Sequence, residues 1–142
     1  MSKIEVKFVK NNDNATPFKY TRNNDACMDI YASEDVVLHK GRTTLIPTGI
    51  SVEIPKGYEG RVIGRSGMSI KGFLVHHGVI EEEYRGTIGV MLANLSGDSY
   101  RVNKGDRIAQ FSIHPVHRIE LVEVEKLSET ERGANGYGSS GV

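Results

Sequence analysis

Apolar and polar residues alternate along much of this chain in short stretches. Ile4-Glu-Val-Lys-Phe-Val9, Thr48-Gly-Ile-Ser-Val-Glu-Ile54 and Leu121-Val-Glu-Val124 have the two-residue period or β-branched content of half-buried strands. Further strands are predicted at Val36–Leu38, Arg61–Ile63, Ile88–Leu92 and Ile108–Ile113. Turn signals recur between them, at Lys40-Gly41, Pro55-Lys-Gly57, Ser96-Gly-Asp98 and Lys104-Gly-Asp106. Helical periodicity is nearly missing, and one short helix is predicted over Ser66–Lys71. Short strands punctuated this often predict an all-β sandwich or barrel.

Composition narrows the picture. With 142 residues and 38% hydrophobic content, one domain is expected, burying roughly two-thirds of its surface. Lys plus Arg and Asp plus Glu number 18 each, so no global field draws the chain to nucleic acid or an anionic membrane, and any anion site must be local. The single cysteine, Cys27, excludes an intrachain disulfide framework and predicts a reduced, cytoplasmic setting. Cys27 is expected to be a small buried residue without reactivity. The N-terminus runs directly into alternating sequence with no signal-peptide pattern, and no apolar run is long enough to span a bilayer. Composition breaks only at Arg132-Gly-Ala-Asn-Gly-Tyr-Gly-Ser-Ser-Gly-Val142. The expected organisation is therefore a β domain over residues 1–131 and a flexible Gly/Ser-rich arm over residues 132–142.

Candidate chemistry lies in two stretches and the arm. In Gly60-Arg-Val-Ile-Gly-Arg-Ser-Gly67, Arg65 offers a planar fork of donors and Ser66 a hydroxyl. Gly64 and Gly67 let the backbone approach an anion, and the start of the predicted helix exposes N–H groups to it. In Gly78-Val-Ile-Glu-Glu-Glu-Tyr-Arg-Gly86 a carboxylate is available as general base. The arm carries one Arg and one Tyr, able to clamp a phosphate and stack on a ring. Together these point to an enzyme acting on a phosphorylated small molecule. His76 and His77 are adjacent in a strand and point to opposite faces, which disfavours a shared metal. Glu82 and Glu83 are expected to be solvated. No Gly-x-x-x-x-Gly-Lys-Ser/Thr loop is present, and one cysteine cannot supply the ligands of a zinc deaminase.

Ala26-Cys-Met-Asp-Ile-Tyr-Ala32, the two stretches above, Gly105-Asp-Arg-Ile-Ala-Gln110 and the arm resemble, in order, the five motifs of the trimeric dUTPase family. The resemblance covers essentially the whole chain. It implies a jelly-roll, β-barrel-like subunit in a homotrimer with shared active sites. It also implies Mg2+-dependent hydrolysis of dUTP to dUMP and pyrophosphate, which keeps uracil out of DNA and supplies dUMP for dTMP synthesis. By the same resemblance Glu81 activates the attacking water. Arg65, Ser66 and Gly67 hold the phosphates with Gln110, and Asp29 acts on the metal side through ordered water. Main-chain groups around Val79 and Ile80 read uracil, and Tyr84 packs against the deoxyribose. From the arm, Arg132 meets the γ-phosphate and Tyr137 stacks on the base, with Ser139 and Ser140 also at the substrate.

The chain departs from the family pattern at several positions. Glu81 stands where Asp is usual, Gly64 where Pro is common, Tyr137 where Phe is usual and Cys27 where Gly is usual. Two other functions compete. One is a dCTP deaminase of the same fold, although that family places a catalytic Glu on the strand after the third motif, and Thr87-Ile-Gly-Val-Met-Leu92 has no acid. The other is a nucleotide-sensing or partner-binding trimer with weakened catalysis.

Overall fold

A computed structural model describes residues 2–141. Eleven strands and one helical turn follow one another: β1 Lys7–Lys10, β2 Met28–Tyr31, β3 Val36–Leu38, β4 Thr43–Pro47, β5 Ile50–Glu53, β6 Tyr58–Ile63, α1 Ser66–Ser69, β7 Phe73–Val75, β8 Gly78–Ile80, β9 Gly89–Asn94, β10 Tyr100–Val102 and β11 Arg107–Pro115. They form a four-stranded sheet in the order β2-β11-β6-β8, a three-stranded sheet β4-β9-β7, and the pairs β1-β5 and β10-β3. Every pairing is antiparallel. The result is the jelly-roll-like all-β subunit expected, with a barrel that hydrogen bonding does not close among the described residues. No helix among them is long and apolar enough to cross a membrane.

Alternation explains the core. Val62 on β6, Ile46 on β4, and Val90 and Leu92 on β9 turn inward to meet Ile30, Leu38, Ile50, Val102 and Phe111 in one apolar cluster. On β11 the register with β2 shifts between Arg107 and Ala109. That bulge lets the successive residues Ile108 and Ala109 both be buried and resets the pairing so that Gln110 faces Asp29 on β2 and Ile63 on β6. β11 is thus the strand on which the Asp29 and Arg65 motifs converge.

Several strand expectations need correction. The first strand begins at Lys7, so Ile4-Glu-Val lies outside it. Leu121–Val124 forms no strand, and residues 116–141 carry neither strand nor helix. Every residue from Pro115 to Asn135 is exposed, and a strand without a neighbour leaves its N–H and C=O groups unpaired within the chain. The predicted helix is confirmed as α1, shortened to one turn that closes through Lys71 N on Met68 O and Gly72 N on Ser69 O.

Candidate active site

Asp29 organises the phosphate side. Its side chain is only 7% exposed, and a buried carboxylate is costly unless charge and hydrogen bonds compensate. Thr21 Oγ1 donates to its Oδ2. Arg65 Nε lies 3.6 Å from Oδ1 and Arg107 Nη1 lies 3.8 Å from Oδ2. Arg65 Nη1 also donates to the Arg107 carbonyl at 3.2 Å, so the two arginines are held to each other as well as to the acid. Tyr31, two residues along β2, senses the same charges. Burial first, and then the nearby Asp29 carboxylate, raise its phenol above the usual range, partly opposed by Arg107 and Arg65.

Arg65 precedes α1, and the N–H groups of Met68 and Ser69 both bond its carbonyl. Ser66 and Gly67 are exposed at the start of the turn. A Cβ at Gly67 would meet nothing within 4 Å, so the space over this backbone is open to a ligand. Arg65, Gly67, Lys71, Asp106 and Arg107 line a hollow of about 390 Å³ beside it.

No group of three or more His, Cys, Asp or Glu side chains converges as a metal cage among the described residues. The donor set fits a Mg2+ that arrives with phosphate oxygens and water in its shell, with the Asp29 and Asp106 carboxylates on this side of the molecule. His76 makes a contact of 3.1 Å between its Nε2 and Thr43 Oγ1. Cys27 is half-buried, where burial was expected, because it lies just before β2 begins.

The second region lies at the end of β8. Val79, Ile80, Glu81 and Tyr84 line a cavity of about 410 Å³ together with Leu45, His76 and Met91, among others. The loop that follows folds on itself: Tyr84 N donates to Glu81 O at 3.0 Å, and Tyr84 Oη donates to Thr87 O at 3.1 Å. Gly86 leaves room for this packing, since a Cβ there would overlap the end of the Tyr84 ring and the ring would have to move. Glu82, expected to be solvated, instead accepts a hydrogen bond from Gly57 N at 2.6 Å. Arg85 and Arg107 are the partners that sequence reasoning missed.

The arm forms a third group. Arg132, Tyr137, Ser139 and Ser140 line a hollow of the arm's own making. Arg132 Nε donates to Asn135 O at 3.0 Å, and Tyr137 is fully exposed. Within one chain, then, Asp29, Arg65 and Gln110 come together, Val79, Ile80, Glu81 and Tyr84 come together, and among the described residues Arg132, Tyr137, Ser139 and Ser140 line a hollow formed by the arm alone. The cavity of Glu81 is lined by none of Asp29, Arg65, Ser66 or Gln110.

A dUTPase family model matches residues 13–141. A deoxyuridine 5'-triphosphate nucleotidohydrolase of Crocosphaera subtropica is 42% identical over 142 residues, covering 98% of this chain and all of the relative. The cowpox virus protein of the same name is 42% identical, covering 96% of this chain and 93% of its own length. Among solved structures, the dUTPase of Staphylococcus bacteriophage 80alpha with dUpNHpp superposes with a TM-score of 0.89 at 32% identity, covering 99% of this chain and all of that one. A phage phi11 dUTPase described with a structural Mg(II) ion gives 0.80 at 28% identity, covering 87% of this chain and 98% of that one. On this agreement of sequence and fold along nearly its whole length, the chain belongs to the dUTPase family.

Proposed function

We propose that this chain hydrolyses dUTP to dUMP and pyrophosphate, using Mg2+, in a homotrimer whose sites are shared between subunits. The observation that carries the reading is the cavity at the end of β8, whose lining includes both an acidic residue, Glu81, and an aromatic one, Tyr84. It supports a pocket for a nucleoside with a base beside it, in a family whose solved members include one with dUpNHpp.

Uracil would meet the main chain at Val79 and Ile80, and the Tyr84 ring would face the deoxyribose, leaving no room for a 2'-hydroxyl. Glu81 would take a proton from the water that attacks the α-phosphorus. Arg65, Ser66 and the backbone at Gly67 would hold the phosphates with Gln110, so that most of the catalysis is positioning and charge stabilisation. Asp29 would hold Mg2+ through water, and the ion would supply shielding of the triphosphate charge. The arm would add Arg132 at the γ-phosphate, Tyr137 on the base, and Ser139 and Ser140 alongside.

Assembly follows from the separation of these groups. Residues needed at one ligand lie in three places within one chain, and a ring of copies lets the groups of different subunits meet. Exposed apolar residues along the segment before the arm support assembly, with Ile119 81%, Leu121 91% and Leu127 81% exposed in the single chain.

Incubating the protein with dUTP, dCTP, dTTP and UTP, with and without Mg2+, tests the reading. Pyrophosphate is expected from dUTP with Mg2+ and little from the others. Conversion of dCTP to a uracil nucleotide would select the deaminase instead, although β9 carries no acidic residue. Tight dUTP binding without product would select a sensor.

A further inference from the structure

We infer that Arg85 is a positioning residue, whose guanidinium braces the backbone of the loop bearing Glu81 and Tyr84. Arg85 Nη1 donates to the carbonyls of Glu82 at 2.7 Å and Tyr84 at 3.2 Å. Its Nη2 donates to Glu53 Oε1 on β5 at 3.3 Å. A further tie leaves the same loop at Glu82, whose Oε2 accepts from Gly57 N in the turn between β5 and β6.

The loop is a wall between two hollows. Glu81 and Tyr84 face the cavity of about 410 Å³. Glu53, Glu82 and Arg85 line a separate, polar hollow of about 440 Å³, together with Lys7 and Lys56. The groups proposed to meet substrate therefore stand on one side of the loop, and its tethers stand on the other.

The division of labour within the tether follows from exposure. The Arg85 and Glu53 side chains are 52% and 46% exposed, and a solvated pair of that kind contributes little by itself. The contacts to two main-chain carbonyls matter more. They fix the Glu82–Glu83 and Tyr84–Arg85 peptide groups and so set the direction in which Tyr84 leaves the backbone, from an Nη1 that the rigid guanidinium plane carries out to both carbonyls and a freely rotating lysine ammonium does not reproduce. Removing the fork leaves the loop with its local turn and the Glu82 tie, and local opening becomes easier.

The catalytic half of this inference rests on the proposed dUTP hydrolysis, and the structural half does not. Arg85→Met keeps the aliphatic stem and removes the fork. In the unliganded protein, amide hydrogen exchange over residues 82–87 should then quicken by at least about tenfold, with β11 unchanged. With dUTP, kcat/KM should fall by about ten- to a hundredfold, and the preference for dUTP over UTP should narrow because Tyr84 is no longer held. Glu53→Gln removes only the exposed pair and should stay within about threefold of the parent protein. If Arg85→Met fails to fold, Arg85→Lys, which keeps the charge and loses the fork, carries the same expectations. Unchanged exchange together with an unchanged dUTP-to-UTP preference in the variant overturns the inference, as does a loss of thermal stability with both of those readouts intact. A parent protein that does not turn over dUTP counts against the proposed function alone, and the exchange measurement still decides the role of Arg85.

Discussion

Glu81 extends from the end of β8 with one methylene more than the aspartate usual in its family. That difference moves a carboxylate by about 1.5 Å, in a setting where a misplacement near 1 Å costs roughly a hundredfold in rate. If Glu81 is the base, Glu81→Gln keeps the size and removes the proton acceptor. Steady-state turnover should fall at least about a hundredfold while affinity for dUpNHpp stays nearly the same. Unaltered turnover would remove Glu81 from the mechanism. Glu81→Asp asks the finer question, because faster turnover means a site still framed for aspartate and slower turnover means a backbone adjusted to the longer acid. As candidates, Glu81, Tyr84, Arg65 and Asp29 were legible in the sequence because the motifs around them suggest a role for each. Arg85 and Arg107 sit in the same motifs, but their contacts were not legible, since their partners Glu53 and Asp29 lie far away along the chain. No local spacing encodes such a contact, and long side chains can reach in several directions.

Legibility among the elements follows the length and context of each strand. β6, β9 and β11 are long enough to be read directly; β5 is read from the longer alternating stretch around it and β3 from its Val-Val pair, whereas β2, β7, β8 and β10, equally short, lie in no such pattern. β4, Thr43–Pro47, ends in a proline that reads as a breaker, yet it pairs with β9 throughout. Leu121–Val124 shows the opposite failure, a strand pattern that finds no partner within its own chain. What joins these short strands is partly a fully buried asparagine at the end of β9. Asn94 Nδ2 donates to Leu38 O at 2.8 Å and Asp98 O at 2.7 Å. Its Oδ1 accepts from Ser96 N at 3.0 Å and Ser96 Oγ at 2.6 Å. One amide thus ties β3, β9 and the turn before β10. Asn94→Leu has nearly the same volume but strands main-chain groups in the interior, so a loss of about 2–4 kcal/mol is expected. Urea unfolding at fixed protein concentration reads it as a lower midpoint with unchanged slope. A midpoint equal to that of the parent protein would show that the network contributes no stability.

At the scale of the whole molecule, one chain holds the parts of a site without assembling them. In the proposed assembly the arm is the part most dependent on a neighbour. Its eleven residues from Arg132 to Val142 can extend about 35 Å, enough to leave their own subunit and close over a site elsewhere in a trimer. A Gly-rich arm loses conformational entropy on ordering, and in the proposed site a triphosphate would offset this by offering Arg132 a charge-assisted partner and Tyr137 a ring to stack on only when phosphate and base are both present. Closure would also exclude water other than the attacking one. Light scattering on active protein should therefore give a trimer mass, and a monomer mass with full activity would defeat the shared-site reading. Truncation after Glu131 removes the arm and leaves every strand and the exposed apolar segment before it. The truncated protein should keep the trimer mass and nearly the same melting temperature while turnover falls at least about tenfold. In the full chain, dUpNHpp should slow proteolysis of the arm and dUMP, which has no γ-phosphate for Arg132, should slow it much less. A truncated protein that hydrolyses dUTP as fast as the full chain would show that the arm is a bystander and that the body of the trimer completes the site alone.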